Sequence, residues 1–213
     1  MDKLKLFILT ESRKKTLPLL VSWKEKFYLA GGTGLALQIG HRDSVDFDFF
    51  SNNSFDPNIK IKELLKHFDQ KSFSVTQIEK NTLSILLNSE IKISFMTYDY
   101  PLVKPLISSE YLNIASIPDI ACMKLSTIMQ RSALKDYVDL YEIMKIYNLE
   151  QLLSFSKKKY PTIDLAVILK SLSYLDDIVD EPLIYKDEKS KPSLDVLKKF
   201  FQNEVRRYFD KII

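Results

Sequence analysis

Two aspartates two residues apart, Asp46 and Asp48, stand in the apolar run Val45-Asp46-Phe47-Asp48-Phe49-Phe50. Side chains alternate along a strand, so the pattern predicts Val45, Phe47 and Phe49 on one face and both carboxylates on the other. Acids so placed lie roughly 7 Å apart and repel by about 2 kcal/mol at an effective dielectric of about 20. In bulk water the repulsion falls to about half a kcal/mol, which an exposed edge strand could carry. The flanking aromatics predict instead a strand inside a sheet, where a shared divalent cation relieves the pair. Mg²⁺ characteristically takes one or two carboxylates together with waters and substrate phosphates.

The stretch before the acids supplies a complementary feature. Phe27 to Ala30 reads as a strand, Gly31-Gly32 as a turn, and Thr33 to Ile39 as a short helix that Gly40 ends. Glycines at a strand-to-helix turn let backbone N–H groups face an anion, and the helix N-terminus adds its positive end. A Gly-Gly-Thr turn alone is a weak signal for phosphate. One that precedes an Asp-x-Asp strand by a single short helix is far more specific.

Gly31-Gly32-Thr33, followed by Arg42, Ser44, Asp46 and Asp48, resembles the signature of the nucleotidyltransferase superfamily, in particular its AbiEii/AbiGii toxin branch. The resemblance implies a polymerase-β-like core in which the glycine turn holds the triphosphate of an NTP and Asp46 and Asp48 bind Mg²⁺, or Mn²⁺ in its place. Lys124, Arg131, Lys135, Asp136 and Asp139, within DIACMKLSTIMQRSALKDYVDLYEI, resemble a second block of the same family. That block implies nucleotide-binding roles for Lys124, Arg131, Lys135 and Asp139, with Lys124 and Arg131 approaching the triphosphate or the acceptor. Asp136 or Asp139 would complete the active site or brace the cations. The chain departs from the superfamily at one place. A third carboxylate is expected on a neighbouring strand near Ser94, in Ile91-Lys92-Ile93-Ser94-Phe95, and serine stands there. Asp136 is the candidate to act as base in its stead. Read without the resemblance, Lys135 and Asp139 are an i,i+4 pair on a solvated helix face, worth a few tenths of a kcal/mol.

These residues need a scaffold. Leu4 to Lys26 reads as helical with a break at Pro18. Asn58 to Phe68 reads as a helix. Strands are expected at Ser72–Glu79, Thr82–Leu87 and Ile91–Thr97, the last two joined at Asn88-Ser89-Glu90. From Tyr98 to Ile117 the chain reads as irregular, with Leu102-Val103 as a short strand. Helices follow from Pro118, at Ser132 to Ile146 with Ser132 as cap, at Leu149 to Tyr160, at Asp164 to Tyr174 and at Ser193 to Ile212, with a loop over Asp176 to Pro192. The expected fold is α+β: a mixed sheet of about five strands with helices over residues 1–118, then a helical subdomain over 119–213.

Composition narrows the function classes. Hydrophobic residues make up 46% and charged residues 28% of the 213, which excludes a disordered chain. The net charge of +3 permits a nucleic-acid partner without arguing for one. Lys157-Lys158-Lys159 and Arg206-Arg207 are runs of the kind that usually form solvated faces, with RNA contact as the alternative. One cysteine, Cys122, precludes an internal disulfide and fits a reducing cytoplasm. No apolar run approaches the roughly 20 residues of a membrane span. His41 and His67 have no metal-ligand spacing, and neither a P-loop nor a Gly-x-Ser-x-Gly elbow is present. The expectation is a cytoplasmic, Mg²⁺-dependent nucleotidyltransferase moving NMP from an NTP to a hydroxyl of RNA, such as tRNA, or of protein. The resemblance further implies a toxin with a cognate antitoxin. The competing classes are a nucleotide-binding pseudoenzyme and a helical interaction module.

Overall fold

In the structure, a computed structural model that describes residues 4–178, 182–185 and 191–212, the elements follow from the periodicities just read. Helix α1, Glu11–Leu20, passes through Pro18 and ends two residues later, tightening into a 3₁₀ turn at Val21–Trp23. The break expected at Pro18 is therefore a helix end displaced by one half-turn, since few bonds remain beyond it for proline to disrupt. Strand β1 is Tyr28–Ala30, helix α2 Gly31–Ile39, and strand β2 Phe47–Ser51. Gly40 closes α2 in the left-handed conformation at φ 72°, its N–H donating to the Ala36 carbonyl. Helix α3, Pro57–Leu64, is capped by the Asp56 carboxylate, which accepts from the Asn58 N–H. Strands β3 (Phe73–Glu79), β4 (Thr82–Leu87) and β5 (Ile91–Thr97) form a meander, its second turn using positive φ at Asn88 and Ser89.

Two further strands lie in the stretch expected to be irregular: β6, Ile107–Ser108, and β7, Asn113–Ile114. Leu102-Val103 is not a strand, and the sheet has seven strands rather than about five, in the order β3-β4-β5-β2-β1-β7-β6. Two-residue strands leave no alternation to read; β7 exists because Ile114 pairs with Leu29 of β1. The sheet is mixed: β2 runs antiparallel to β1 and parallel to β5. Phe47, Phe49, Leu83, Ile85, Ile93 and Phe95 are buried and join Leu17, Leu20 and Trp23 in one apolar cluster. Burying each large side chain contributes about 1.5–3 kcal/mol, enough to fix the register and so the opposite face that carries Asp48. Val45, expected inward, is 51% exposed, because regular pairing begins only at Phe47.

The chain divides into two compact units, residues 1–101 with 105–115, and residues 102–104 with 116–213. The second unit holds α4 (Ile117–Ile128), α5 (Leu134–Ile143), α6 (Leu149–Lys159), α7 (Leu165–Ser173) and α8 (Leu194–Ile212). Ser116 caps α4, and an Asn148/Gln151 capping box opens α6. Ser132 does not cap α5; Ala133 occupies that position with no side-chain cap bond. Helix α8 packs on α5, α6 and α7, burying Leu197 and Phe201, the latter edge-on to Tyr137 at 5.8 Å. The loop expected at Asp176 to Pro192 falls partly on residues 179–181 and 186–190, outside the described residues.

Candidate active site

The turn between β1 and α2 is built so that side chains from the next strand lie on its backbone. Gly31 has φ +64°, and a Cβ added there would stand 3.0 Å from Asp48 Oδ2. Any side chain at this position would be strained by its backbone and would press on that carboxylate. At Gly32 an added Cβ would meet the Arg42 guanidinium at 2.7 Å and Ser44 Oγ at 2.9 Å. Arg42 is buried and donates through Nη1 to the Asp43 carbonyl at 2.9 Å. The glycine bend, Asp48, Arg42 and Ser44 therefore occupy one small region.

Thr33, also buried, joins the same region differently. Its hydroxyl contacts Ser44 Oγ at 2.9 Å and is hydrogen-bonded to the Asp46 carbonyl. Asp46 itself is half-buried in the loop just ahead of β2. Helix α2 has no side-chain cap, and the first N–H groups of a helix have no intrahelical acceptor, so Gly31, Gly32 and Thr33 present backbone donors and the positive end of the helix.

Sheet register places the expected third acid's position directly beside the second acid. Ala30 pairs with Asp48, Asp48 with Ser94, and Ser94 with Ser84. Ser94 is 4% exposed, and Ser84 Oγ donates to its Oγ at 3.2 Å. A hydroxyl pair thus fills the place where the resemblance implied a carboxylate. Ser84 was not singled out from sequence, although its alternation with Leu83 and Ile85 puts it on this face. Among the described residues, no three His, Cys, Asp or Glu side chains cluster as a metal site. The donors present, two hard carboxylates, suit a divalent cation such as Mg²⁺ whose remaining ligands come from phosphate and water.

The second block gathers inside the helical unit. Lys124 Nζ lies 2.6 Å from Asp136 Oδ1 and 2.7 Å from Asp139 Oδ2, and Arg131 Nε lies 3.0 Å from Asp136 Oδ2. Asp136 and Asp139 are both 0% exposed. Burial opposes the charge on Lys124, but the attraction of Asp139 and Asp136 outweighs it and raises the lysine's pKa. Two expectations change here. Asp139 is sealed against Lys124 instead of lying on a solvated face, and Lys135 is half-buried one residue before Asp136. Asp136 has one oxygen on Lys124 and the other on Arg131 and is 0% exposed, so it presents no open face to a substrate hydroxyl, which counts against it as the base. From the basic run 157–159, Lys159 is fully buried and bonds Asp119 Oδ1 at 2.8 Å, while Lys157 and Lys158 are exposed. Arg206 and Arg207 are exposed, with Arg207 Nη1 2.6 Å from Glu204 Oε1. Among the described residues no helix is long and apolar enough to cross a membrane.

A mixed sheet with a glycine bend against an acid-bearing strand is the arrangement of a nucleotidyltransferase, and solved structures share this fold. The nucleotidyltransferase toxin MenT4 (Rv2826c) of Mycobacterium tuberculosis superposes with a TM-score of 0.61 at 16% identity, over 93% of this chain and 82% of its own. JHP933 from Helicobacter pylori gives 0.51 at 15% identity, over 96% of this chain and 97% of its own. The uncharacterized protein aq_aa25 of Aquifex aeolicus (strain VF5) is 38% identical over 200 residues, 86% of this chain and 88% of the relative. The model of the family described as nucleotidyl transferase AbiEii toxin, type IV TA system, matches residues 19–195, and the chain belongs to that family.

Proposed function

We propose that the chain is a Mg²⁺-dependent nucleotidyltransferase that moves a nucleoside monophosphate from an NTP to an acceptor hydroxyl on RNA or protein, acting in the cytoplasm as a toxin answered by a cognate antitoxin. The observation that carries the reading is the approach of the Asp48 carboxylate to Gly31, with Arg42 and Ser44 over Gly32. In the proposal the backbone donors of Gly31, Gly32 and Thr33 bind phosphate oxygens, and the Arg42 guanidinium offsets their charge. Asp46 and Asp48 hold the cation. When bound, Mg²⁺ neutralises charge on the phosphates as a Lewis acid. The chain's own work is mostly positioning and charge stabilisation, as in phosphoryl transfer generally. Lys124, bonded to Asp136 and Asp139, and Arg131, bonded to Asp136, are assigned to the helical unit's own packing. Asp136 and Asp139 are braces for these cations, a role that accords with their complete burial.

The test is to incubate the purified chain with each labelled NTP, Mg²⁺ and total RNA or protein, beside an Asp46→Ala/Asp48→Ala variant. Label transferred by the parent and absent from the variant is the expected result. A second reading, a nucleotide-binding protein without turnover, is favoured by Ser94, which pairs with Asp48 where a third acid is expected. NTP and Mg²⁺ binding with no transfer to any acceptor would establish it.

A further inference from the structure

The site described so far leaves one side chain on the glycine turn whose bonds run away from the backbone donors. Thr33 is the third residue of α2 and only 2% exposed. Its hydroxyl touches Ser44 Oγ and the Asp46 carbonyl, both in the loop that leads into β2. A hydroxyl has one proton to give, and whichever partner takes it, the bond ties helix to loop. Ser44 Oγ also lies close against Gly32, where an added Cβ would meet it at 2.9 Å, so helix start and loop come together at the Thr33 hydroxyl. Asp46 precedes the first regular residue of β2, so the strand ladder that holds Asp48 opposite Ala30 and Ser94 does not hold Asp46.

We infer that Thr33 is a positioning residue: its hydroxyl sets Asp46 relative to Asp48 for a divalent cation, rather than binding phosphate. This rests on the proposal that the two aspartates hold that cation, and it assigns the threonine side chain a task separate from that of its backbone N–H. Partners that orient a metal ligand from behind characteristically change metal affinity by about 10- to 100-fold when lost.

Thr33→Val keeps the shape and deletes the hydroxyl; Thr33→Ser keeps the hydroxyl. Mn²⁺ binding is followed by electron paramagnetic resonance in the presence of a non-hydrolysable NTP analogue, and affinity for the analogue alone is measured in EDTA. The expected result is a Mn²⁺ dissociation constant about tenfold or more higher in Thr33→Val. Analogue affinity in EDTA should stay within about twofold, and Thr33→Ser should restore Mn²⁺ binding. Unchanged Mn²⁺ binding in Thr33→Val overturns the inference, as does an equal loss of metal-free analogue binding, which would make the hydroxyl a phosphate ligand. Should Thr33→Val fail to fold, Ser44→Ala interrogates the same connection from the loop side, with a smaller loss of Mn²⁺ expected and no loss counting against the inference. A parent protein that takes up no Mn²⁺, or an Asp46→Asn variant that binds it as well as the parent, would overturn the cation reading itself and this inference with it.

Discussion

The two units treat the same residue types in opposite ways. In the sheet unit, Asp46 and Asp48 remain half-buried beside a bend made of glycine backbone. In the helical unit, Asp119, Asp136 and Asp139 are sealed from solvent, each with a cation against it. Asp119 accepts from the N–H groups of Val103 and Lys104, from Ser116 and from Lys159, which is why residues 102–104 belong to the helical unit. On the proposed reading, the difference separates acids placed for a ligand from acids placed for the fold. Carboxylates that are to meet a cation must keep part of their lone pairs for it; sealed ones must have every lone pair answered by the protein.

Substitutions can break that contrast. Asp119→Ala strips the acidic partner from Lys159, which is completely buried, and is expected to cost about 3–5 kcal/mol of stability in urea denaturation. Asp48→Ala is expected to leave the denaturation midpoint nearly unchanged while label transfer falls about 100- to 1,000-fold, or about 3–4 kcal/mol of barrier. If the two variants exchanged phenotypes, the division of labour would be wrong. Gly31→Ala forces a side chain into a left-handed position 3.0 Å from Asp48 Oδ2. It should cost about 1–3 kcal/mol in stability and lower Mn²⁺ affinity as well, measurable on one sample by melting and by titration.

A smaller effect sharpens the contrast within lysines. Lys60, 3% exposed, points its ammonium at Trp23, Phe27 and Phe95, 4.5–4.7 Å from each ring centre, with Glu63 at 3.4 Å. Burial, reinforced by the like charge of Lys26 and only partly offset by Glu63, pushes its pKa down to about 8, whereas Lys124 between two carboxylates is pushed up. Between about pH 8 and its ordinary value of 10.5 the unfolded chain holds this proton and the folded chain does not, so stability rises with pH through that window. Below pH 8 the cost of the buried charge is fully present. Lys60→Met should abolish the rise and stabilise the fold at neutral pH by about 1–2 kcal/mol, the lost attraction to the rings being set against the relieved burial. Denaturation curves at neutral and alkaline pH decide it; a parent whose stability falls across the same window would contradict the assignment.

Much of the sheet unit was legible because its signals are local. Alternation over Thr82–Leu87 and Ile91–Thr97 gave β4 and β5 residue for residue, and Gly40 ended α2 where its positive φ is needed. The strands β6 and β7 were illegible because two residues hold no pattern: β7 pairs with β1, some eighty residues away in sequence, and β6 then pairs with β7. Lys159 read as one of three solvated lysines because its partner Asp119 lies forty residues earlier, on another helix. Thr33 read as a phosphate ligand by its place after two glycines; only the folded loop shows its hydroxyl turned to Ser44 and Asp46.

By itself the sequence determined the chemistry on offer: two hard carboxylates two residues apart in a run that reads as a strand, and a glycine bend before a helix. Those follow from side-chain type and from the two-residue and 3.6-residue periods, which neighbouring residues impose on one another. Tertiary structure decided which charges are sealed from water and which are only half-buried. That depends on partners brought together from distant points of the chain and on how much water each contact excludes, quantities no local pattern encodes.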